Sequence, residues 1–149
     1  MDDLNKILED NPTALKGMIA GDFLEDLLVV IVLYKTKAEE STAYISLSSS
    51  FRNSPRIPDM FIYDNSASCT PLKGDRIKYL HDPTNSGVSK AYNEASFHAG
   101  KKHKKWMLLL DQDTRVNREF FLSLQDTSEQ YSQTVAFVPV MTDGKGFIS

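Results

Sequence analysis

The run Leu27-Leu28-Val29-Val30-Ile31-Val32-Leu33-Tyr34 constrains the fold of this chain more than any other stretch. A strand with one wet face alternates apolar and polar residues, whereas this run is apolar almost without interruption and rich in β-branched side chains. That pattern belongs to a central strand of a parallel sheet, buried on both faces. Parallel neighbours must be joined by crossovers, usually helices. The run therefore predicts strands alternating with helices in the rest of the chain.

The chain supplies them. Thr36-Lys37-Ala38-Glu39 has the form of a capping box, and Tyr44, Leu47 and Phe51 lie on one face of the helix it would start, which Pro55 and Pro58 close. Met60-Phe61-Ile62-Tyr63 reads as a second strand ending in Asp64-Asn65-Ser66. Ile77-Lys78-Tyr79-Leu80 is a short alternating strand, nearer an edge. After Asp82-Pro83-Thr84-Asn85-Ser86-Gly87, a helix is expected from Val88 to about Ala99, with Ala91, Ala95 and Phe97 or His98 inward and Gly100 as its C′ residue. Trp106-Met107-Leu108-Leu109-Leu110 is a second run read as buried on both faces, ending in Asp111-Gln112-Asp113-Thr114. A helix from about Asn117, with Phe120, Phe121 and Leu124, and a last strand from Thr134 to Met141 complete the order β-α-β-β-α-β-α-β. This is an α/β chain with a mostly parallel sheet and helices on both faces.

Residues 1 to about 26 stand apart. Leu4, Ile7 and Leu8, then Asn11-Pro12 and Ala14, Leu15, Met18 and Ile19 make a helical arm that Gly21 ends. Packing on its own domain or on a second copy is its simplest use, a homodimer being the second case. The acidic start Met1-Asp2-Asp3 lacks a signal peptide's basic flank and apolar core. The longest apolar run is far below the roughly 20 residues of a membrane helix. With Cys69 alone, there is no disulfide framework. A cytoplasmic protein, with membrane contact at most peripheral, is expected. A net charge of −3 gives no reason to expect nucleic acid, and Lys101-Lys102-His103-Lys104-Lys105 reads as a solvated turn after a helix C-terminus.

In open α/β sheets ligands bind beyond the carboxyl ends of the strands. Here those ends carry Tyr34, Asp64, Asn85 with Gly87, and Asp111 with Asp113. Two residues apart on an extended backbone, Asp111 and Asp113 would face one site, suited to a hard divalent cation with a phosphorylated ligand. The competing reading is capping of the next helix. Asp64, taken alone, reads as a turn residue; at a strand end it could accept hydrogen bonds from a nucleobase edge. Asn85-Ser86-Gly87 precedes a helix whose amides could receive phosphate, but the repeated glycines of a P-loop or dinucleotide fingerprint are missing.

Taken together, Val30 to Tyr34, Tyr63 to Ser66, Asn85-Ser86-Gly87-Val88-Ser89-Lys90-Ala91-Tyr92-Asn93 and Leu109 to Thr114 resemble, in order, the family 2 glycosyltransferases, which have the GT-A fold. The likeness runs from about Leu28 to Met141, so that residues 27–149 would be the nucleotide-sugar-binding part of such a domain. The Leu-Asp-Gln-Asp form is most similar to the rhamnosyltransferase branch. The resemblance implies that Tyr34 and Asp64 bind the nucleoside base and that Asn85, Gly87 and Asn93 wall the ribose and diphosphate. Asp111 would lie by the ribose or sugar, and Asp113 would hold Mg²⁺ or Mn²⁺ on the diphosphate. The implied partners are a UDP- or dTDP-linked sugar and a saccharide or lipid-linked acceptor in surface polysaccharide synthesis, with inversion at the transferred carbon. The family's acceptor half and catalytic base have no match here, so the base is expected beyond Ser149, the chain being a donor half that is inactive alone. Membrane contact would then come through that missing part.

Two other functions compete. A phosphatase of the haloacid-dehalogenase type also places Asp-x-Asp after a strand, but on its first strand and without an Arg where this chain has Arg115. A non-catalytic nucleotide-binding or self-association domain is the other.

Overall fold

The computed structural model describes residues 17–138. Most of the proposed arm and the end of the proposed last strand lie outside them. The elements are α1 (Gly21–Asp26), β1 (Leu27–Leu33), a single 3-10 turn (Ala38–Glu40), α2 (Thr42–Ser50), β2 (Asp59–Asp64), β3 (Ile77–His81), α3 (Val88–Lys101), β4 (Trp106–Asp111) and α4 (Arg118–Gln130). The four strands form one parallel sheet in the order β3-β2-β1-β4. β1 is central and buried along its whole length, as its composition requires. β3 is an edge strand, as its alternation suggested.

Helices cover both faces. On one, Ala43 and Leu47 of α2 with Phe51 at its C-cap, Phe121 of α4 and Phe23 and Leu24 of α1 pack over Val29, Ile31, Leu33, Met60, Ile62 and Leu110. The rings of Phe51 and Phe121 meet edge to face at 4.9 Å. On the other face, Ala91, Ala95 and Ala99 bring α3 close over Leu28, Val30, Val32, Phe61 and Tyr63. His98 turns in against Phe61, while Phe97 is exposed under the Lys101 ammonium.

Several expectations need correction. Gly21 starts a helix instead of ending one, and Phe23 and Leu24 behind it are core residues. The capping box at Thr36 does not form. Ala38–Glu40 makes a separate turn, and Ser41 caps α2, its Oγ accepting from the Tyr44 N–H at 3.2 Å. Gly100 is inside α3. The left-handed C′ residue is His103 (φ 54°), with the Lys104 N–H donating to the Ala99 carbonyl and the His103 N–H to that of Gly100. β4 is not buried on both faces: Trp106, Leu108 and Leu110 point into the core, whereas Met107 and Leu109 are 37% and 43% exposed. An unbroken apolar run could not reveal this, because α3 lies over β1 and β2 and stops short of β4. Residues 134–138 are not in a strand, although Phe137 packs on Trp106 at 5.3 Å.

The basic turn is partly structural. Lys104 is almost wholly buried, its ammonium 2.7 Å from Asp59 Oδ2 and from the Glu25 carbonyl. Lys105 pairs with Asp26, and Arg76 with Glu25 and Asp59. These pairs tie together the amino ends of the strands, opposite the candidate site.

Candidate functional site at the carboxyl edge of the sheet

Parallel strands bring their carboxyl ends to one edge. Backbone hydrogen bonds extend the ladder past the strands there: the Asn65 N–H donates to the Leu33 carbonyl and the Asp82 N–H to that of Asp64, at 2.9 and 2.8 Å. Tyr34, Asp64, the 82–87 loop and the Asp111–Thr114 turn therefore share one rim.

Asp64 is 2% exposed and on the α2 side of the sheet. One carboxylate oxygen accepts the Ser66 N–H, the other the hydroxyl of Tyr79 on the neighbouring strand. Ser66 in turn accepts the Lys35 N–H on its hydroxyl at 2.8 Å and lies 2.7 Å from the His81 ring through its carbonyl. Asp64 is thus more than a turn residue, because its orientation is set across two strands. It lines a cavity of about 360 Å³ with Lys35, Thr36, Lys37, Glu40 and Cys69. Burial, then the charge of Asp64, pushes the Cys69 thiol up from its ordinary pKa. Lys35 has φ 54°, unusual for a residue with a side chain, and its ammonium lies 5.0 Å over the half-exposed ring of Tyr34. The next residue, Asn65, buries an Oδ1 with no partner among the described residues.

The mirror arrangement occurs on the α3 side. Tyr63 of β2 donates its hydroxyl to Asp82 Oδ2 at 2.7 Å. Asp82 Oδ1 also accepts the Thr84 N–H and hydroxyl, and Oδ2 the Ser86 N–H at 3.3 Å, with Lys90 3.5 Å away. Hydrogen bonds from Thr84, then Ser86 and Tyr63, hold this carboxyl far below the usual carboxylate range. Burial, then the bond and charge of Asp82, push the Tyr63 phenol well above its usual value, and burial with Asp64 does the same at Tyr79. Around Asp82 the loop bends through Asn85 (φ 51°) and Gly87 (φ 88°), the latter a conformation that favours glycine. Asp82 and Tyr79 escaped the sequence reading. The Asp-Pro-Thr turn signal was the available hint for Asp82; Tyr79 had none.

Asp111 and Asp113 are both exposed. The extended-backbone argument for their shared direction does not apply, since the chain turns at Gln112 and Asp113 and the Thr114 N–H closes on the Asp111 carbonyl at 3.0 Å. Asp111, in register with Val32, is on the α3 side, and its charge adds to burial in raising the Tyr92 phenol. Asn93 is not drawn into this group. Ala91, Ala95 and Ala99 are the buried residues of α3, which leaves Asn93 exposed on the opposite side of the helix.

Among the described residues no group of three or more His, Cys, Asp or Glu gathers to hold a metal ion. Exposed carboxylates at a turn suit instead a Mg²⁺ or Mn²⁺ that keeps waters and arrives with ligand phosphates, which needs only one or two protein oxygens. No helix of the described residues is long and apolar enough to cross a membrane.

The domain pattern of glycosyl transferase family 2 matches residues 31–147. No curated protein and no solved structure matches the chain. A parallel α/β sheet with polar groups along its carboxyl rim is consistent with the GT-A fold of that family, and the match covers most of the sequence: the chain belongs to glycosyl transferase family 2.

Proposed function

We propose that the carboxyl rim binds a nucleoside-diphosphate sugar, UDP- or dTDP-linked, for inverting transfer to a saccharide or lipid-linked acceptor in surface polysaccharide synthesis. The observation that carries this reading is the cavity beside the cross-strand-anchored carboxylate of Asp64, on the same rim as the Asp111–Asp113 turn. Asp64, an acceptor-only group when ionised, takes an N–H of the base, and Tyr34 flanks it. The loop of Asn85 and Gly87 leads to the ribose and diphosphate, Asp111 to the ribose or sugar. Asp113 holds Mg²⁺ or Mn²⁺, which supplies positive charge to the departing diphosphate. Lys35 adds positive charge to the rim, while Lys37 and Lys90 already face Glu40 and Asp82, each at 3.5 Å. The Leu-Asp-Gln-Asp sequence favours a donor of the rhamnosyltransferase type. The haloacid-dehalogenase alternative loses ground, since its nucleophile would sit on the first strand and Asp111 ends β4.

Cys69 lines the cavity and is the chain's single cysteine, so it reports on occupancy. UDP or dTDP with Mn²⁺ is expected to slow alkylation of Cys69 by N-ethylmaleimide several-fold in the folded protein. An unchanged rate at millimolar nucleotide would contradict nucleoside binding in this cavity.

A further inference from the structure

The middle residue of Asp111-Gln112-Asp113 makes two long-range hydrogen bonds to the opposite bank of the site. Gln112 Oε1 accepts the Tyr34 N–H at 2.8 Å, and its carbonyl accepts the Ala43 N–H, at the start of α2, at 3.1 Å. Between those contacts run Lys35, Thr36, Lys37 and Glu40, all lining the cavity beside Asp64. The β1–β4 pairing stops at Val32 and Asp111, so beyond it Gln112 is what joins this loop to the carboxylate turn. A second tie lies just after, where the Val116 N–H donates to Ser46 Oγ of α2 at 3.1 Å. Tyr34 is half exposed and Lys35 has a positive φ, and where the loop leaves β1 its first two amides are held one from each bank, that of Tyr34 by Gln112 and that of Lys35 by the Ser66 hydroxyl.

We propose that Gln112 is a positioning residue that makes binding at the Asp113 end and binding at the nucleoside end mutually dependent. The inference rests on the donor-site reading above. A diphosphate held at the Asp-x-Asp turn orders Gln112; the ordered Oε1 holds the Tyr34 N–H, and with it the wall of the nucleoside cavity. Such coupling is reciprocal, so each half of the ligand strengthens the other by the same factor.

Whole nucleotides cannot test this, because the ligand itself links its two ends. A nucleoside, uridine and thymidine each being tried, and Mn²⁺-pyrophosphate are the separate halves. Calorimetry of the nucleoside that binds, with and without saturating Mn²⁺-pyrophosphate, should show an affinity gain of at least about fivefold in the wild-type chain. Gln112→Leu, which fills the same space without the acceptor, should reduce that factor to near one, while Gln112→Glu, which keeps an acceptor for the Tyr34 N–H, should preserve it. Independent binding of the halves in the wild type, or coupling that survives Gln112→Leu, overturns the proposal and leaves the donor site standing. If neither half binds the folded wild type, the donor-site reading falls and this proposal with it. Should Gln112→Leu fail to fold, Gln112→Met, unbranched and likewise without the acceptor, takes its place, and coupling that survives it overturns the proposal.

Discussion

The hydroxyl of Tyr63 donates to Asp82 at 2.7 Å, from β2 to the residue that follows β3, while Tyr79 of β3 donates to Asp64 at the end of β2. The two bonds cross between neighbouring strands on opposite faces of the sheet. Each tyrosine orients the carboxylate of the other strand, so Asp64 and the loop of Asn85 and Gly87 are held as one unit.

Acid should weaken this unit through Asp82. Its pKa is depressed in the fold by Thr84, Ser86 and Tyr63. A depressed carboxyl contributes stability that is present above the unfolded value of about 3.9 and lost as pH falls through the folded one. Urea midpoints of the wild type should therefore drop as pH goes from about 4 downward, and those of Asp82→Asn should start lower and fall less over that range. Parallel curves for the two proteins would contradict the role given to Asp82.

Alkali should act in the other direction, at the tyrosines. Tyr63 and Tyr79 have raised pKa values, by burial first and then by their carboxylate partners. The stability they contribute is complete below the unfolded value of about 10 and is lost as pH rises toward the folded ones. In a tyrosinate absorbance titration at 295 nm, two phenols are expected to ionise only together with loss of the far-ultraviolet circular dichroism signal. Tyr63→Phe and Tyr79→Phe should each remove one phenol from that late phase. Ionisation of both phenols in a fully folded protein would show that the bonds are not held in solution.

Lys104 tests the other end of the sheet. Its side chain is 3% exposed and bridges Asp59 and the Glu25 carbonyl. Lys104→Met should cost about 1–3 kcal/mol in chemical denaturation, because it removes the ammonium's bonds to Asp59 and to the Glu25 carbonyl while Asp59 keeps Arg76. Nucleotide affinity should not change, since the pair is at the amino ends of the strands. A loss of affinity without a loss of stability would mean that the basic turn takes part in binding.

The four strands of the sheet were legible from sequence to within about a residue because apolar content and β-branching report burial directly, whereas the strand expected from Thr134 is absent over residues 134–138. Leu27–Leu33 and Ile77–His81 sit where their patterns place them, in the centre and at an edge. What the pattern could not show was which side of β4 a helix covers, since that depends on how far the alanine face of α3 reaches. The helix start at Ser41 was misplaced because Thr36 and Glu39 satisfy a local rule that a separate 3-10 turn overrides. At the site, the residues at strand ends were visible, while those that orient them were not. Tyr79 meets Asp64 from 15 positions away, Tyr63 meets Asp82 from 19 and Gln112 meets Tyr34 from 78. Spacing along the chain carries no trace of such contacts; only the register of the sheet creates them.

The central claim is that the rim binds a nucleoside diphosphate through a divalent cation at Asp113. Its most direct measurement is calorimetric titration of the folded chain with UDP and with dTDP, with Mn²⁺ and with chelator, alongside Asp113→Ala. One of the two nucleotides is expected to bind in the presence of Mn²⁺ and to lose about tenfold or more in affinity with chelator or in Asp113→Ala, a change on the order of 1.4 kcal/mol. No binding of either nucleotide to the folded protein, or an affinity that neither chelator nor Asp113→Ala alters, would contradict the account.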